Sequence, residues 1–223
     1  MTTDQQFERF VAHVRQALAN PLPGKPAQFA MAHAGRLREL EQIPAPAADA
    51  RIASVINLLH HSEGILRTVL IVRSVNPRDR HSGQVSFPGG SVEPGDTNLA
   101  HAALREAEEE VGVASASIEL LGRLTDLYIP VSNFWVHPFV GAIREPSPDF
   151  RPQPGEVERI LTPPLAWFAD PARRLARDVP IGHGVRLKDV PVFELEDRVV
   201  WGTTAMIMNE FISAVVRNSP SHP

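Results

Sequence analysis

Apolar positions near the start of the chain recur at helical spacing. Phe7, Phe10, Val11, Val14 and Leu18 fall at i, i+3, i+4, i+7 and i+11, which predicts a helix over 4–20 with one face that needs a surface to dock on. The proline-rich stretch 20–26 ends it, because proline forbids an interior helical hydrogen bond and biases the residue before it toward extended backbone. A weaker helical pattern covers 27–42, and Pro44-Ala45-Pro46 forms a stiff spacer. Beyond the spacer the pattern changes to β-rich runs over 52–59, 66–73, 119–128, 134–143 and 156–162, with a short one over 190–193. Most lack strict alternation, as expected of strands covered on both faces by helices. Helices are expected over 98–111 and 203–217, and no repeat at solenoid periods is present. The pattern predicts an α/β fold in which prolines mark boundaries between elements.

Composition narrows the chemistry. The chain has 223 residues, enough for one sizeable core, and no cysteine, which excludes disulfides, thiolate metal sites and a cysteine nucleophile. Any metal must be bound by oxygen or imidazole. Lys plus Arg number 22 against 26 Asp plus Glu, so no basic face for nucleic acid is expected. The longest aliphatic run, Val69 to Val72, is far too short for a bilayer, and the first residues show no secretory pattern. A cytoplasmic protein without nucleic-acid or membrane partners is expected; a homodimer is left open.

The informative segment is Gly83-Gln84-Val85-Ser86-Phe87-Pro88-Gly89-Gly90 and the helix that follows it. On a wheel of 98–111, Ala100, Leu104, Ala107 and Val111 form an apolar face. Glu106, Glu109 and Glu110 share one arc of about 100°, expected to be exposed, with Glu108 pointing elsewhere. Like charges at i, i+3 and i+4 repel by roughly 0.2–0.5 kcal/mol per pair, and a helix C-terminus disfavours anions further. Local stability would not select them. A hard divalent cation removes the penalty, since carboxylates at i and i+4 can reach one Mg²⁺ or Mn²⁺, and such a cation activates water and neutralises phosphate.

Arg105-Glu106-Ala107-Glu108-Glu109-Glu110-Val111-Gly112-Val113 resembles the second half of the Nudix box. The first half departs from it: Gly90 precedes Arg105 by one residue more than the motif has, and Asp96 stands near the place of its first Glu. The resemblance implies the Nudix fold, an α/β/α sandwich around a mixed sheet. It divides the chain into an N-terminal helical extension (1–48), a hydrolase domain (49–217) and a tail (218–223). It implies Glu106 and Glu110 as ligands of Mg²⁺ or Mn²⁺, Glu109 as a ligand or catalytic carboxylate, and Arg105 as the group that holds the carboxylates in register. The glycine backbone at Gly89 and Gly90 is expected close to metal or phosphate. Glu156, in Pro154-Gly155-Glu156-Val157, resembles the position of a further glutamate that binds metal or accepts the proton of attacking water, and Glu158 shares its face if both lie on a strand.

Flanking segments resemble the subfamily that hydrolyses coenzyme A. Val69-Leu70-Ile71-Val72-Arg73-Ser74, Arg78, Gly83 and Phe87-Pro88-Gly89-Gly90 supply most of its signature, while Ile71 replaces the usual Thr and the spacing from Arg78 to Gly83 is one residue longer. By that resemblance Arg73, Arg78, Phe87, Gly89 and Gly90 contact a coenzyme A-like nucleotide. Arg73, Arg78, Arg80 and His81 also make a positive cluster before the glycine loop, suited to phosphates because guanidinium grips phosphate oxygens bidentately. Tyr128, Phe134 and Trp135 are either pocket walls or ordinary core and rim residues. Two further functions stay open: hydrolysis of ADP-ribose or a related nucleoside diphosphate derivative, and a non-catalytic nucleotide-sensing module.

Overall fold

A computed structural model describes residues 2–42, 45–75, 83–181 and 185–216. In chain order the elements are α1 (Thr3–Ala19), α2 (Gly24–Phe29), α3 (Ala34–Gln42), β1 (Arg51–Ser62), β2 (Ile65–Thr68), β3 (Leu70–Arg73), β4 (Val85–Ser86) and β5 (Gly89–Ser91). They continue with α4 (Leu99–Val111), β6 (Ile118–Arg123), β7 (Leu127–Ile129), β8 (Phe134–Ile143), β9 (Val157–Leu161), α5 (Ala166–Ala169), β10 (Arg174–Pro180), β11 (Arg186–Glu194), β12 (Val199–Val200) and α6 (Gly202–Val216).

The first helix begins in a capping box: the Thr2 hydroxyl accepts from Gln5 N at 3.3 Å, and the Gln5 amide oxygen accepts from Thr2 N at 2.9 Å. The pattern over 27–42 resolves into two helices rather than one, because the chain turns after Phe29 to bury Met31 fully. Prolines are not confined to boundaries. Pro26 is the third residue of α2, a first-turn position whose N–H has no intrahelical partner to lose. Pro138 lies inside β8, between the β7 pairing that ends at Val136 and the β6 pairing that begins at Phe139.

The central sheet runs β2-β1-β8-β6, with β5 also on β1 and β7 on β8. β1 and β8 pair in parallel from Arg51↔Phe134 to Leu59↔Ala142, and the other pairs in this sheet are antiparallel. The apolar run 66–73 is split, because its first half pairs with β1 while β3 crosses to a second sheet, β4-β3-β9. A third sheet, β10-β11-β12, contains a strand, β10, whose charged sequence carries no strand pattern. Ile56 and Leu58 of β1, with Phe139 and Ile143 of β8, face α4. Leu59 of β1, with Val136, Val140 and Ala142 of β8, packs with α1 and α6 residues, including Phe7, Val14, Met208 and Phe211. The result is the expected α/β/α sandwich, with β1 and β8 buried at its centre.

A buried carboxylate ties the N-terminal helices to this core. Glu210 of α6 has no exposed surface and accepts from Gln28 of α2 at 2.8 Å, from the Thr125 hydroxyl at 2.5 Å and from Thr125 N at 3.2 Å. Burial raises its pKa, and these donors oppose the rise. Asn209, its neighbour, donates to Ala27 O at 2.6 Å. Replacing Glu210 by Ala strands these buried donors and should lower stability by about 2–3 kcal/mol, read from the denaturant midpoint.

Candidate active site

The acidic helix α4 is bounded by its own sequence. Asn98 caps its start by accepting from His101 N at 2.9 Å, and Gly112 ends it with φ of 74°, a left-handed conformation that favours glycine. Glu108 points away from the other acids and accepts from Ser115 N and Oγ at 2.9 and 2.6 Å. The remaining three do not all face solvent. Glu109 is exposed, but Glu110 is only 2% exposed, because β5 lies across the arc that the wheel leaves open.

Two glycines let β5 approach so closely. A Cβ on Gly89, whose φ is +149°, would lie 2.4 Å from Ser54 O and 2.6 Å from Val55 Cα of β1. A Cβ on Gly90 would lie 2.6 Å from the Glu106 carboxyl. Gly89 therefore answers to β1, and Gly90 answers to the carboxylate. The Gly89 N–H donates to Glu110 Oε2 at 2.8 Å, so strand and helix are joined by a charge-assisted bond.

Arg105 ties the acids together. Its Nε and Nη2 make a bidentate pair with Asp96 at 3.0 Å each, Nη2 also donates to Ser91 O at 3.1 Å, and Nη1 donates to Glu106 at 2.9 Å and Glu109 at 3.1 Å. Asp96 accepts further from Glu93 N at 2.8 Å and stands 2.9 Å from the His101 ring. The hydrogen bonds from Arg105 hold the Asp96 carboxyl well below the usual range, and Asp96 in turn raises the pKa of Arg105. Asp96, near the place of the motif's first Glu, is thus the main partner of Arg105.

Burial pushes the Glu110 carboxyl up to about 7; the Gly89 N–H and Arg73, 4.0 Å away, oppose the rise, while Glu106 and Glu156 add to it. Burial also raises Glu106, with Arg105 opposing and Glu109 and Glu156 contributing. Glu156 therefore lies close enough for its charge to act on both. It occupies the turn before β9, where Ser74 N donates to its carbonyl at 2.8 Å, next to the Arg73↔Val157 pair. Four carboxylates, Asp96, Glu106, Glu109 and Glu110, gather about two guanidiniums, Arg73 and Arg105, with Glu156 near enough to add its charge. Among the described residues, no three acidic or imidazole side chains stand together as a closed metal site. Glu106 and Glu109 lie back on Arg105, and Glu110 on the Gly89 N–H. The donors are all hard oxygen, the type that suits Mg²⁺ or Mn²⁺, and the glycine cradle leaves the Glu106 carboxyl room that a Cβ would fill.

Other expectations fare differently. Phe87 is not at an open surface: it is 2% exposed in the core shared with α1 and α6, so packing accounts for it. Glu158 does not share a face with Glu156, which precedes the strand; it pairs with Arg198 at 3.3 Å. Arg78, Arg80 and His81 lie outside the described residues. Phe134 is partly buried beneath the Arg51 guanidinium at 4.0 Å, Trp135 packs on the His137 ring at 4.8 Å, and Tyr128 donates its hydroxyl to Asn133 at 2.8 Å. Sequence reasoning expected the Gly89 and Gly90 backbone near metal or phosphate but did not foresee that the Gly89 N–H bonds the Glu110 carboxyl.

A sequence profile of the NUDIX domain matches residues 49–179, more than half of the chain. The chain belongs to the Nudix family. It is 33% identical over 172 residues, 76% of its length and 81% of the relative's, to proteins described as uncharacterized Nudix hydrolase NudL from Yersinia pestis (strain Pestoides F) and Yersinia pseudotuberculosis serotype O:1b (strain IP 31758). Its fold resembles that of RenU, a Nudix hydrolase from M. smegmatis, with a TM-score of 0.50 at 13% identity, covering 78% of this chain and 91% of that one. As a Nudix hydrolase it is an enzyme that cleaves phosphorus-containing acid anhydrides in nucleoside diphosphate derivatives. The family generally uses divalent cations. No helix among the described residues is long and apolar enough to cross a membrane.

The glycine cradle makes a contrast testable in this Nudix hydrolase. Gly90→Ala must displace the Glu106 carboxyl, whereas a Cβ at Gly95 meets nothing within 4 Å. Hydrolysis rates should fall by at least about tenfold in Gly90→Ala and by less than twofold in Gly95→Ala, with both variants folded by circular dichroism.

Proposed function

We propose that this enzyme hydrolyses the diphosphate bond of coenzyme A or its acyl derivatives, releasing adenosine 3′,5′-bisphosphate and 4′-phosphopantetheine, with Mg²⁺ or Mn²⁺ as its cofactor. The observation that carries the metal assignment is the excess of carboxylates over guanidiniums around Gly89 and Gly90, with the side chains of Glu110 and Asp96 almost wholly buried. Repulsion among them calls for a cation, and a hard divalent ion is the one that oxygen donors favour. The coenzyme A assignment rests on the segment from Val69 to Ser74 with the Phe87-Pro88-Gly89-Gly90 turn, and on Arg73, whose guanidinium stands at the carboxylates where a diphosphate would lie. Residues 49–217 form the hydrolase domain in this proposal, and 1–48 an extension packed on it.

Glu106 and Glu110 are the metal ligands, with Glu109 completing the set. The cation, when bound, polarises phosphate oxygens and lowers the pKa of water. Arg105 keeps Glu106 and Glu109 in register while Asp96 fixes its other edge. Arg73 grips a phosphate oxygen and offsets negative charge that grows in the transition state. Glu156 accepts the proton of the attacking water, whose oxygen bonds to one phosphorus as the bond to the bridging oxygen breaks. No covalent intermediate with the protein is required.

A chelator should abolish turnover and Mg²⁺ or Mn²⁺ should restore it, and Glu110→Gln should lower kcat at least about a hundredfold. Coenzyme A and ADP-ribose assayed side by side decide the substrate: a kcat/KM at least tenfold higher for coenzyme A is expected, and the reverse preference overturns that choice.

A further inference from the structure

Segment 144–156, which joins β8 to β9 and ends on Glu156, is bonded across the end of α4. Arg151 N donates to Val111 O at 2.9 Å and Gln153 N donates to Glu110 O at 3.2 Å, so the segment satisfies carbonyls that the last helical turn leaves without partners. Its start is pinned to β1, where Ser147 N donates to His61 O at 3.1 Å and the Ser147 and Ser62 hydroxyls meet at 2.9 Å. Its end is pinned to β3 by the bond from Ser74 N to Glu156 O, and Glu156 N donates to Gln153 O at 3.3 Å. Within the span between these anchors, Phe150 turns inward. Its ring meets the ring of His60 edge-on, with centroids 5.1 Å apart and planes at 72°, and packs against the core beneath α4.

His60 is a peculiar platform. It is 2% exposed, and neither ring nitrogen forms a hydrogen bond of good geometry. Burial pushes its pKa down to about 4; the backbone of His61 opposes that fall, and Arg67 of β2 and the His61 ring add to it. The ring is therefore neutral near pH 7, and the flat aromatic surface it offers Phe150 is its one clear structural use. The adjacent Asp149 and Arg151 pair with each other at 2.8 Å on the outside of the segment.

We propose that Phe150, seated on His60, is a positioning residue that latches segment 144–156 across the end of α4 and so sets where Glu156 stands relative to Glu106 and Glu110. The proposal rests on Glu156 being the proton acceptor. A displaced acceptor slows the chemical step and leaves substrate binding to Arg73 and the carboxylates, so the effect belongs in kcat rather than KM.

The test uses the full chain with Mg²⁺ and coenzyme A, in Phe150→Ala, Phe150→Leu, Glu156→Gln and the double variant Phe150→Ala/Glu156→Gln. Phe150→Ala should lower kcat about tenfold with KM within about twofold, Phe150→Leu should recover most of the loss, and the Phe150 effect should vanish in the Glu156→Gln background. Amide exchange at Arg151 and Gln153 should quicken in Phe150→Ala while β1 stays protected. An unchanged kcat in Phe150→Ala, or an equal loss in both backgrounds, overturns the proposal. Full activity of Glu156→Gln overturns the proton-acceptor assignment instead; the latch is then judged by exchange, with faster exchange supporting it and unchanged exchange overturning it.

Discussion

The close approach of β5 to α4 is the constraint on which the site depends. A carboxylate at Glu110 would ordinarily stay in water, since burying a charge without partners is costly. It is instead covered by a strand that donates its Gly89 N–H to it, and Arg73 stands nearby. Any larger residue at 89 or 90 pushes the strand off β1 or into Glu106. Removing the strand would leave the acids as an ordinary solvated helix face. Keeping it creates a low-dielectric wall on one side of an anionic cluster, where a divalent ion and phosphate interact more strongly than they would in bulk water.

The same economy explains why one edge of α4 is tied to so many elements. β5 holds Glu110, the loop before the helix holds Arg105 through Asp96, and segment 144–156 bonds to the helix end through Glu110 O and Val111 O. The apolar side of the helix rests on Ile56, Leu58 and Phe139 of the sheet. A site whose carboxylates repel one another needs such a frame, because the dipole at the helix C-terminus disfavours them and they outnumber the guanidiniums of Arg73 and Arg105 beside them. The frame gathers the acids and leaves their charge to be met by a cation.

Patterns with one dominant period were legible. β8 spans the expected run, α4 and α6 begin and end within a residue of their expected limits, and Asn98 and Gly112 cap α4 as their types suggest. Periodicity failed where a single apolar run serves two sheets, as at the β2 to β3 crossing, and where a strand such as β10 is exposed and charged. The wheel placed Glu110 with Glu109 because it knows the helix and not its cover; burial came from β5, a strand of three residues that carries no hydrophobic signal at all. Phe87 misled for the opposite reason. It sits in a motif beside the site, yet its ring is buried in the core shared with α1 and α6, while Gly90, three residues on, faces the Glu106 carboxyl.

The longer loop before α4 shows which part of a motif is physical. Asp96 keeps the motif's spacing from Gly90 but stands one residue too far from Arg105, and its side chain is one carbon shorter than glutamate. The loop turns at Glu93–Asp96, closed by Asp96 N to Glu93 O at 2.9 Å and by Glu93 N to the Asp96 carboxyl at 2.8 Å. That turn brings the shorter acid to both nitrogens on the outer edge of Arg105, at 3.0 Å each. What the chemistry requires is an anion at that edge of the guanidinium, so that its other edge is free to hold Glu106 and Glu109. A loop that delivers the anion there meets the requirement, whatever its residue count.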